Sequence, residues 1–265
     1  MSVVRGEREV TGIFDTHAHY DDRRFDGDRE TLIGGLFESG TLYAAVNCGC
    51  DITSSLKSLA IARKFPRMYA AVGIHPHEAK EAAEADFERL EELLKDEKAV
   101  ALGEIGLDYH YDFSPRETQK AVFERQLDMA LRLDVPAVIH NREAHADCIE
   151  AVLSRPGLRF VFHSFSGSAE SAVLLQKAGS YIAFSGPVTF KNAHKTAEAV
   201  LAVRDDRLLV ETDCPYLTPE PHRGRRNDSG YVKFIIEKIA EIRDESYQFI
   251  EELTRENAEN FFGLR

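Results

Sequence analysis

Eight short apolar runs alternate with longer amphipathic segments from one end of the chain to the other, and this alternation restricts the fold more than any other feature. The runs are apolar on both faces and often rich in Val, Ile or Phe, as is typical of parallel strands that helices cover on both sides. Eight strand–helix units predict an α/β fold with a parallel sheet, and they close most naturally into a (β/α)8 TIM barrel. The predicted strands are residues 12–17, 43–48, 68–74, 99–105, 136–140, 159–163, 181–185 and 208–212.

Three of the amphipathic segments carry clear helix signals. Residues 86–95 place their phenylalanine and leucines on one helical face. A second helix begins near Ser114, which is expected to cap it, with Pro115 in the first helical position and Glu117 closing a capping box. Residues 246–262 predict an extra helix that seals the end of the chain.

An open, doubly wound sheet is the main alternative fold. Such a sheet would carry a glycine-rich phosphate loop after its first strand, whereas this chain has Asp15-Thr16-His17-Ala18-His19 there. The length of 265 residues matches a single barrel, which typically has about 250 residues. Because no linker rich in Gly, Pro or Ser interrupts the alternation, we predict one domain over residues 1–265.

The composition is that of a globular protein that does not span a membrane. Hydrophobic residues make up 43% of the chain and charged residues 29%, which excludes a disordered or fibrous protein. No apolar run approaches the roughly 18 residues that span a bilayer, and residues 1–10 are charged with no apolar stretch after them. We therefore predict a cytoplasmic protein without a secretory signal.

The four cysteines of the chain are expected to be reduced and mostly buried: Cys48, Cys50, Cys148 and Cys214.

The charge balance is acidic, with 33 Lys and Arg against 45 Asp and Glu, and it argues against a broad basic surface for nucleic acid. A polyanionic substrate would need an arginine cluster or bound cations. Arg223, Arg225 and Arg226 form such a cluster after the last predicted strand, where barrels often bind phosphate. Lys191 is a similar candidate after the seventh strand. The alternative for the arginine cluster is a solvated basic turn that binds no substrate. Three aromatic residues are expected near the open end of the barrel, where they either stack on a nucleic-acid base or pack against other side chains: Tyr109, Phe165 and Tyr216.

Imidazoles and carboxylates cluster at the ends of the predicted strands or in the turns just after them. These residues are His17, His19, His75, His77, Glu104, His140, His163 and Asp213. The carboxyl ends of barrel strands converge on one mouth, where active sites lie. This distribution predicts a metal-binding site at that mouth. The other histidines are expected on the surface or behind the site: His110, His145, His194 and His222.

The spacing and number of these donors favour two metal ions. His17 and His19 are two residues apart on a strand, so their side chains point to the same side, with Cα atoms roughly 6.6 Å apart, and can chelate one ion. Four imidazoles and two carboxylates exceed what one tetrahedral ion uses. They suit two divalent ions about 3.5–4 Å apart with a bridging carboxylate. Zn, Mn, Fe or Co suits the mixed donors, and Mg suits them only with waters in most of its shell.

Several stretches resemble the motifs of the TatD family of metal-dependent deoxyribonucleases, which are amidohydrolase-like TIM barrels. They follow the family's order from about residue 12 to residue 264, and together they are highly specific. The stretches are Phe14-Asp15-Thr16-His17-Ala18-His19, Gly73-Ile74-His75-Pro76-His77, Gly103-Glu104-Ile105-Gly106-Leu107-Asp108-Tyr109, His140-Asn141-Arg142-Glu143-Ala144, His163-Ser164-Phe165-Ser166-Gly167, Thr212-Asp213-Cys214-Pro215-Tyr216-Leu217, Arg223-Gly224-Arg225-Arg226-Asn227 and Asn257-Ala258.

The resemblance implies a ligand set for each ion: His17, His19, Glu104 and Asp213 for one, and Glu104, His140 and His163 for the other. It also implies that Asp213 orients the attacking water and accepts its proton, and that His75 and His77 lie on the substrate side. The implied activity is hydrolysis of DNA phosphodiester bonds by a metal-activated water, as a 3′–5′ exonuclease on single-stranded DNA.

Two stretches depart from the family's pattern, and other functions stay open. Asn-Arg-Glu follows His140 where Ser-Arg-Asp is commoner, and Asp-Ser-Gly-Tyr follows Asn227 rather than Glu-Pro-Ala-Tyr. The alternatives are a small-molecule amidohydrolase or deacylase, including an aminoacyl-tRNA deacylase, and a metal-binding interaction protein without turnover. Asp213 could merely cap the following segment, and Glu104 could pair with Arg142. We expect no membrane partner and favour a monomer.

Overall fold

Eight parallel strands form one sheet in chain order in the computed structural model, which describes residues 11–264. The strands are β1 Ile13–Ala18, β2 Leu42–Cys48, β3 Met68–Val72, β4 Ala99–Asp108, β5 Ala137–Arg142, β6 Phe160–Phe162, β7 Tyr181–Phe184 and β8 Leu208–Val210. The two edges of the sheet meet beyond β8. There the N–H of Asp213 donates to the carbonyl of His17 (2.9 Å), and the N–H of His19 donates to the carbonyl of Cys214 (2.7 Å). The predicted (β/α)8 barrel is confirmed.

One helix follows each strand, and a last helix follows the eighth unit. The helices of residues 11–264 are α1 Arg29–Glu38, α2 Ile52–Ala62, α3 Glu84–Leu93, α4 Arg116–Leu133, α5 His145–Leu153, α6 Ala169–Lys177, α7 His194–Ala202, α8 Val232–Arg243 and α9 Tyr247–Phe262. The predicted terminal helix is α9, and the hydroxyl of Ser246 caps it by accepting from the N–H of Phe249 (3.1 Å).

The barrel interior is apolar toward the amino-terminal ends of the strands. The strands contribute one buried cluster there: Phe14, Val46, Val100, Val138, Val161 and Leu209. Phe261 and Phe262 of α9 pack into the same cluster, and the ring of Phe262 stacks on that of Phe14 with centroids 5.9 Å apart. The helix thus closes the bottom of the barrel with apolar side chains, and the polar side chains of the interior are left to the mouth.

Strands β4 and β5 extend three and two residues beyond their predicted ends, so Glu104 lies inside β4 and His140 inside β5 rather than at the strand ends. The register of β4 on β5 shifts between Leu102 and Ile105, and such an irregularity re-aims a side chain. The close approach of the two strands requires glycine at position 106, because a Cβ there would lie 1.9 Å from the carbonyl oxygen of His140.

Two helix predictions need correction. Helix α3 begins two residues earlier than predicted, at Glu84, and α4 begins at Arg116 without a side-chain cap. The hydroxyl of Ser114 instead donates to the carbonyl of His77 (2.9 Å) and accepts from the N–H of Lys80 (3.1 Å). Ser114 therefore tethers the β4–α4 loop to the 3₁₀ segment Pro76–Glu81 and does not cap α4.

Within residues 11–264, no helix has both the length and the apolar character needed to cross a membrane. The expectation for residues 1–10 lies outside the described residues. All four cysteines are free thiols, and Cys48, Cys148 and Cys214 are buried. The single domain over residues 1–265, the cytoplasmic location and the monomeric state stay predictions.

Candidate metal centre

Glu104 lies at the floor of the barrel mouth and directs its two carboxylate oxygens to two different pairs of histidines. Oε2 lies 3.3 Å from Nε2 of His17 and 3.4 Å from Nε2 of His19. Oε1 lies 2.7 Å from Nδ1 of His140 and 2.8 Å from Nε2 of His163. A carboxylate that faces two separate sets of donors has the arrangement of a bridge between two ions.

Three of these imidazoles are held from behind by a hydrogen-bond acceptor. The pairs are His19 Nδ1 with the carbonyl of Cys48 (2.9 Å), His163 Nδ1 with Glu211 (3.1 Å) and His140 Nε2 with Asp108 (3.2 Å). Burial alone would lower the pKa of His140 and His163, but the carboxylates around them raise it. When such a ring is neutral and its outer nitrogen donates to this partner, the inner nitrogen carries the lone pair and faces Glu104.

The donor set fits divalent metal ions. The Nε2 atoms of His17 and His19 lie 3.0 Å apart, and the inner nitrogens of His140 and His163 lie 3.3 Å apart. Two nitrogen lone pairs at such a separation repel each other unless a proton or a metal ion lies between them. Imidazole nitrogens combined with carboxylate oxygens are donors that Zn and related divalent ions accept.

Asp213 approaches the first imidazole pair from the loop after β8, three residues beyond the end of that strand. Its Oδ1 lies 3.4 Å from Nε2 of His19 and 3.8 Å from Nε2 of His17. Burial alone would raise the pKa of Asp213, but the hydrogen bond with His19 and the charge of His17 hold that pKa below its usual value. The side chain faces these imidazoles, and it caps no helix of the described chain.

A second buried carboxylate, Asp15, holds the loop that carries Asp213. Its Oδ1 accepts from the N–H of Thr212 (2.9 Å), and its Oδ2 accepts from the hydroxyls of Thr212 (2.6 Å) and Ser229 (2.7 Å). Burial raises the pKa of Asp15 to about 7. Since Asp15 precedes His17 by two residues, β1 supports both the first imidazole pair and the loop opposite it.

The electrostatics of the floor favour an ionised Glu104. Burial alone would raise the pKa of Glu104, but the imidazoles of His163, His17 and His75 hold it well below its usual range. The pairing with Arg142 that the sequence left open is absent from the described residues, since the guanidinium of Arg142 instead lies over the ring of Tyr111.

His75 and His77 occupy the wall beside Glu104. The N–H of His77 donates to Nδ1 of His75 (3.2 Å), so Nε2 of neutral His75 carries the proton, 3.6 Å from Oε1 of Glu104. Burial lowers the pKa of His75 well below its usual value, which keeps the ring neutral. His75 thus offers a hydrogen-bond donor rather than a metal-binding lone pair. His77 is held by Asp108 through Nε2 (2.9 Å).

An open cavity of about 1000 Å³ lies above this floor. One wall, the β4 wall, consists of Tyr111 and Phe113 from the loop after β4 and of Arg142 at the end of β5. The opposite wall carries Tyr216, which lies in the loop after β8. Among the described residues that line the cavity, Arg142 is the only arginine or lysine.

The cations that the sequence predicts to bind phosphate lie outside this lining. Arg223, Arg225 and Lys191 are exposed side chains that do not reach the cavity. Arg226 forms two hydrogen bonds with Asp28 (2.8 and 2.6 Å), as expected of the basic turn facing acidic neighbours. Substrate contacts by Arg223, Arg225 and Lys191 stay a prediction.

The three aromatic residues predicted near the mouth differ in position. Tyr109 points away from the cavity, because its hydroxyl donates to Asp147 (2.6 Å). Phe165 lines the cavity but is buried. Tyr216 lines the cavity and is 47% exposed, with the guanidinium of Arg24 4.1 Å from its ring centroid. The remaining histidines lie outside the lining, as expected: His110, His145, His194 and His222.

Comparison with known proteins assigns the chain to a family. Residues 14–263 match the family model described as TatD related DNase. The chain belongs to this family. The uncharacterised metal-dependent hydrolase YabD of Bacillus subtilis is 42% identical over 255 residues, which cover 95% of this chain and 99% of the relative. The 3′-5′ ssDNA/RNA exonuclease TatD of Salmonella typhimurium is 31% identical over 262 residues, with the same coverage of 95% and 99%.

A solved structure agrees with this assignment. The crystal structure of YJJV, a TatD homologue from Escherichia coli, superposes with a TM-score of 0.89 at 28% identity and covers 96% of this chain and 98% of the other. As a member of this family, the chain is an enzyme, a metal-dependent hydrolase. The number and identity of its ions and the roles of individual residues stay predictions.

Sequence reasoning missed two carboxylates that support the candidate metal centre. Glu211 directly follows β8, and its Oε1 accepts from Nδ1 of His163 (3.1 Å) and from the N–H of Ser164 (2.7 Å). Asp108 ends β4 and bonds two imidazoles, those of His77 and His140. Both are carboxylates at the end of an apolar run, the same signal that found Glu104 and Asp213.

Proposed function

We propose that this TatD-family enzyme hydrolyses phosphodiester bonds of DNA, as a 3′–5′ exonuclease on single strands and 3′ ends, with two divalent ions at Glu104. The observation that carries the proposal is that each oxygen of Glu104 faces its own pair of imidazoles at the floor of an open cavity. The printed name of the Salmonella relative, an exonuclease for single-stranded DNA and RNA, supports the choice of substrate.

Each ion has its own donors in this proposal. His17, His19, Asp213 and Oε2 of Glu104 would hold one ion, and His140, His163 and Oε1 of Glu104 would hold the other. Bound divalent cations lower the pKa of a water and neutralise charge on a phosphoryl oxygen. They would also offset the acidic balance of the chain, whose net charge is −12.

Asp213 acts as the general base. It is ionised and lies in a loop at the edge of the cavity, and its carboxylate accepts the proton of the attacking water. His75 donates the proton on its Nε2 in a hydrogen bond to a phosphate oxygen, and His77, fixed by Asp108, lies next to it on the substrate side. Glu211 keeps the ring of His163 oriented from behind.

The exposed cations act farther along the strand. Arg223, Arg225 and Lys191 are proposed to contact phosphates of a longer substrate, because they lie outside the lining of the cavity that would hold the reacting nucleotide. Such contacts strengthen binding without affecting the reacting atoms.

Product analysis on 5′-end-labelled single-stranded DNA tests the proposed function. With Mg, Mn or Zn in separate reactions, we expect a ladder that shortens from the 3′ end, and no products after chelation. The variant Glu104→Gln, purified in parallel, should give no ladder, which excludes a contaminating nuclease. Hydrolysis of ester or amide substrates, with DNA left intact at the same metal loading, would instead establish a small-molecule hydrolase.

A further inference from the structure

Two large aromatic side chains after β4 lie on the cavity wall rather than in the core. Tyr111 is 47% exposed and Phe113 is 56% exposed, and both line the cavity. Their rings stack on each other with centroids 5.3 Å apart and an interplanar angle of 24°. Exposed apolar surface that clusters at a cavity is characteristic of a binding surface, whereas single exposed apolar side chains are ordinary.

A guanidinium group completes this wall. Arg142 ends β5, and its guanidinium lies 4.8 Å from the ring centroid of Tyr111. Arg142 has no carboxylate partner among residues 11–264, whereas Arg24, which lies over the ring of Tyr216 and outside the lining, donates to both oxygens of Asp22 (3.0 Å each). Arg142 is therefore the arginine of the cavity that is available to an anionic or aromatic group of a substrate.

Two imidazoles in series, those of His77 and His75, connect the aromatic pair with Glu104. The ring of His77 contacts Phe113 (4.7 Å between centroids) and Tyr111 (5.5 Å), and on its other side it contacts His75 (4.3 Å). His75 in turn lies 3.6 Å from Glu104. A group stacked on this wall therefore lies beside whatever reacts at the floor.

We propose that Tyr111, Phe113 and Arg142 form a nucleobase subsite, which stacks the base of a nucleotide next to the scissile phosphate. This proposal rests on the proposed nuclease function. The stack supplies an apolar surface for a π-face and the guanidinium supplies a planar cation beside it, so any of the four bases is accepted but an absent base is not. Loss of a stacked base of this kind lowers binding about 5- to 150-fold.

The opposite wall is a weaker platform for a base. Tyr216 is the single exposed aromatic ring there among the described lining residues, whereas the β4 wall has two that stack on each other. The guanidinium of Arg24 lies over the Tyr216 ring, and the Tyr216 hydroxyl donates to Asp22 (3.2 Å). Arg24 is in turn paired with Asp22 and is not available to a substrate anion, unlike Arg142.

Oligonucleotides that lack one base test the subsite. The substrates are 5′-labelled oligothymidylates that carry a normal base throughout or a tetrahydrofuran abasic residue at the terminal or the penultimate 3′ position. The measured quantity is the kcat/KM for removal of the 3′ residue. The parent enzyme should favour the intact substrate over one of the abasic substrates by about 5- to 150-fold.

The double variant Tyr111→Ala/Phe113→Ala should bring this ratio close to one, and Tyr111→Phe should keep it. Phe249→Ala, which removes an exposed aromatic ring from α9, is the matched control and should leave the ratio unchanged. If the alanine double variant unfolds, Tyr111→Leu/Phe113→Leu removes the stack while keeping apolar volume, and it should give the same result.

The possible failures are distinguishable. If the parent cleaves all the oligonucleotides and a folded double variant keeps the parental ratio, the subsite is overturned and the nuclease function stands. If the parent shows no preference for the intact substrate, the subsite is likewise overturned. If the parent cleaves no oligonucleotide under any metal condition, the nuclease function fails and the subsite fails with it.

Discussion

The floor of the cavity and its β4 wall are held in place in opposite ways. At the floor, Glu104 lies within 3.4 Å of four imidazoles, and three of these are bound from behind by Cys48, Asp108 or Glu211. On the wall, Tyr111 and Phe113 are about half exposed, and their ring contacts are with each other, with His77, with His110 and with the guanidinium of Arg142. The difference indicates that the reacting groups are fixed before a substrate arrives, whereas the recognition surface is completed by the substrate. Changes at the floor should therefore affect kcat and metal binding, and changes on the wall should affect substrate preference.

Removal of the metal ions should have the largest effect. We expect exhaustive chelation to abolish hydrolysis while the far-UV circular dichroism hardly changes, because the apolar core at the bottom of the barrel does not include the centre at its mouth. Readdition of a divalent ion should restore activity. Full activity in a sample whose metal content is shown by elemental analysis to be negligible would contradict a metal centre at the floor.

The next largest effect is expected from Asp213→Asn. Asn is nearly isosteric and still offers one oxygen to a metal ion, but it cannot accept the proton of the water, so kcat should fall about 10²- to 10⁴-fold. The KM for a short substrate should change much less. Asp206→Asn, an exposed carboxylate that pairs with Arg204, is the control and should leave kcat unchanged. A near-parental kcat in Asp213→Asn at saturating metal would mean that another group is the base.

The variant Glu211→Gln tests whether Glu211 supports the imidazole of His163 or binds the ion itself. The variant keeps an oxygen that can accept from Nδ1 of His163, but it removes the charge. We expect metal affinity to fall about 10- to 100-fold, with kcat largely recovered at saturating metal. Titration of the apoprotein with Mn or Zn measures this, with Glu117→Gln, an exposed residue of α4, as the control. An unchanged affinity would show that Glu211 is dispensable to the centre.

The fold and the floor of the site could be predicted from the sequence because they depend on signals that repeat along the chain. Eight apolar runs specify the barrel, and a histidine or carboxylate near a strand end, such as His17 or Asp213, is directed to the mouth by the architecture alone. Glu211, like Asp213, follows an apolar run, and nothing in the sequence shows whether such a carboxylate supports an imidazole or binds metal.

The walls could not be predicted in the same way. Tyr111 and Phe113 lie in a loop, and whether a loop folds over the mouth or away from it depends on contacts far apart in the chain. The same limit applies to Arg226, which bonds to Asp28 from α1's amino-terminal end. A cluster of arginines in the sequence shows that positive charge is present, but not whether an acidic residue of another loop already neutralises it.

The smallest expected effect, Arg223→Ala, sharpens the comparison between the cavity and its surroundings. Arg223 is exposed and lies outside the lining, so it can contact only the part of a strand that extends beyond the cavity. We expect the KM for a long oligonucleotide to rise by no more than about fivefold and the slope of log affinity against log salt concentration to decrease by about one. The KM for a dinucleotide should stay at the parental value, and Arg204→Ala, at the opposite end of the barrel, should change neither. Equal effects of Arg223→Ala on the dinucleotide and the long substrate would place this side chain at the reacting nucleotide, and the basic turn would then belong to the site of reaction rather than to its surroundings.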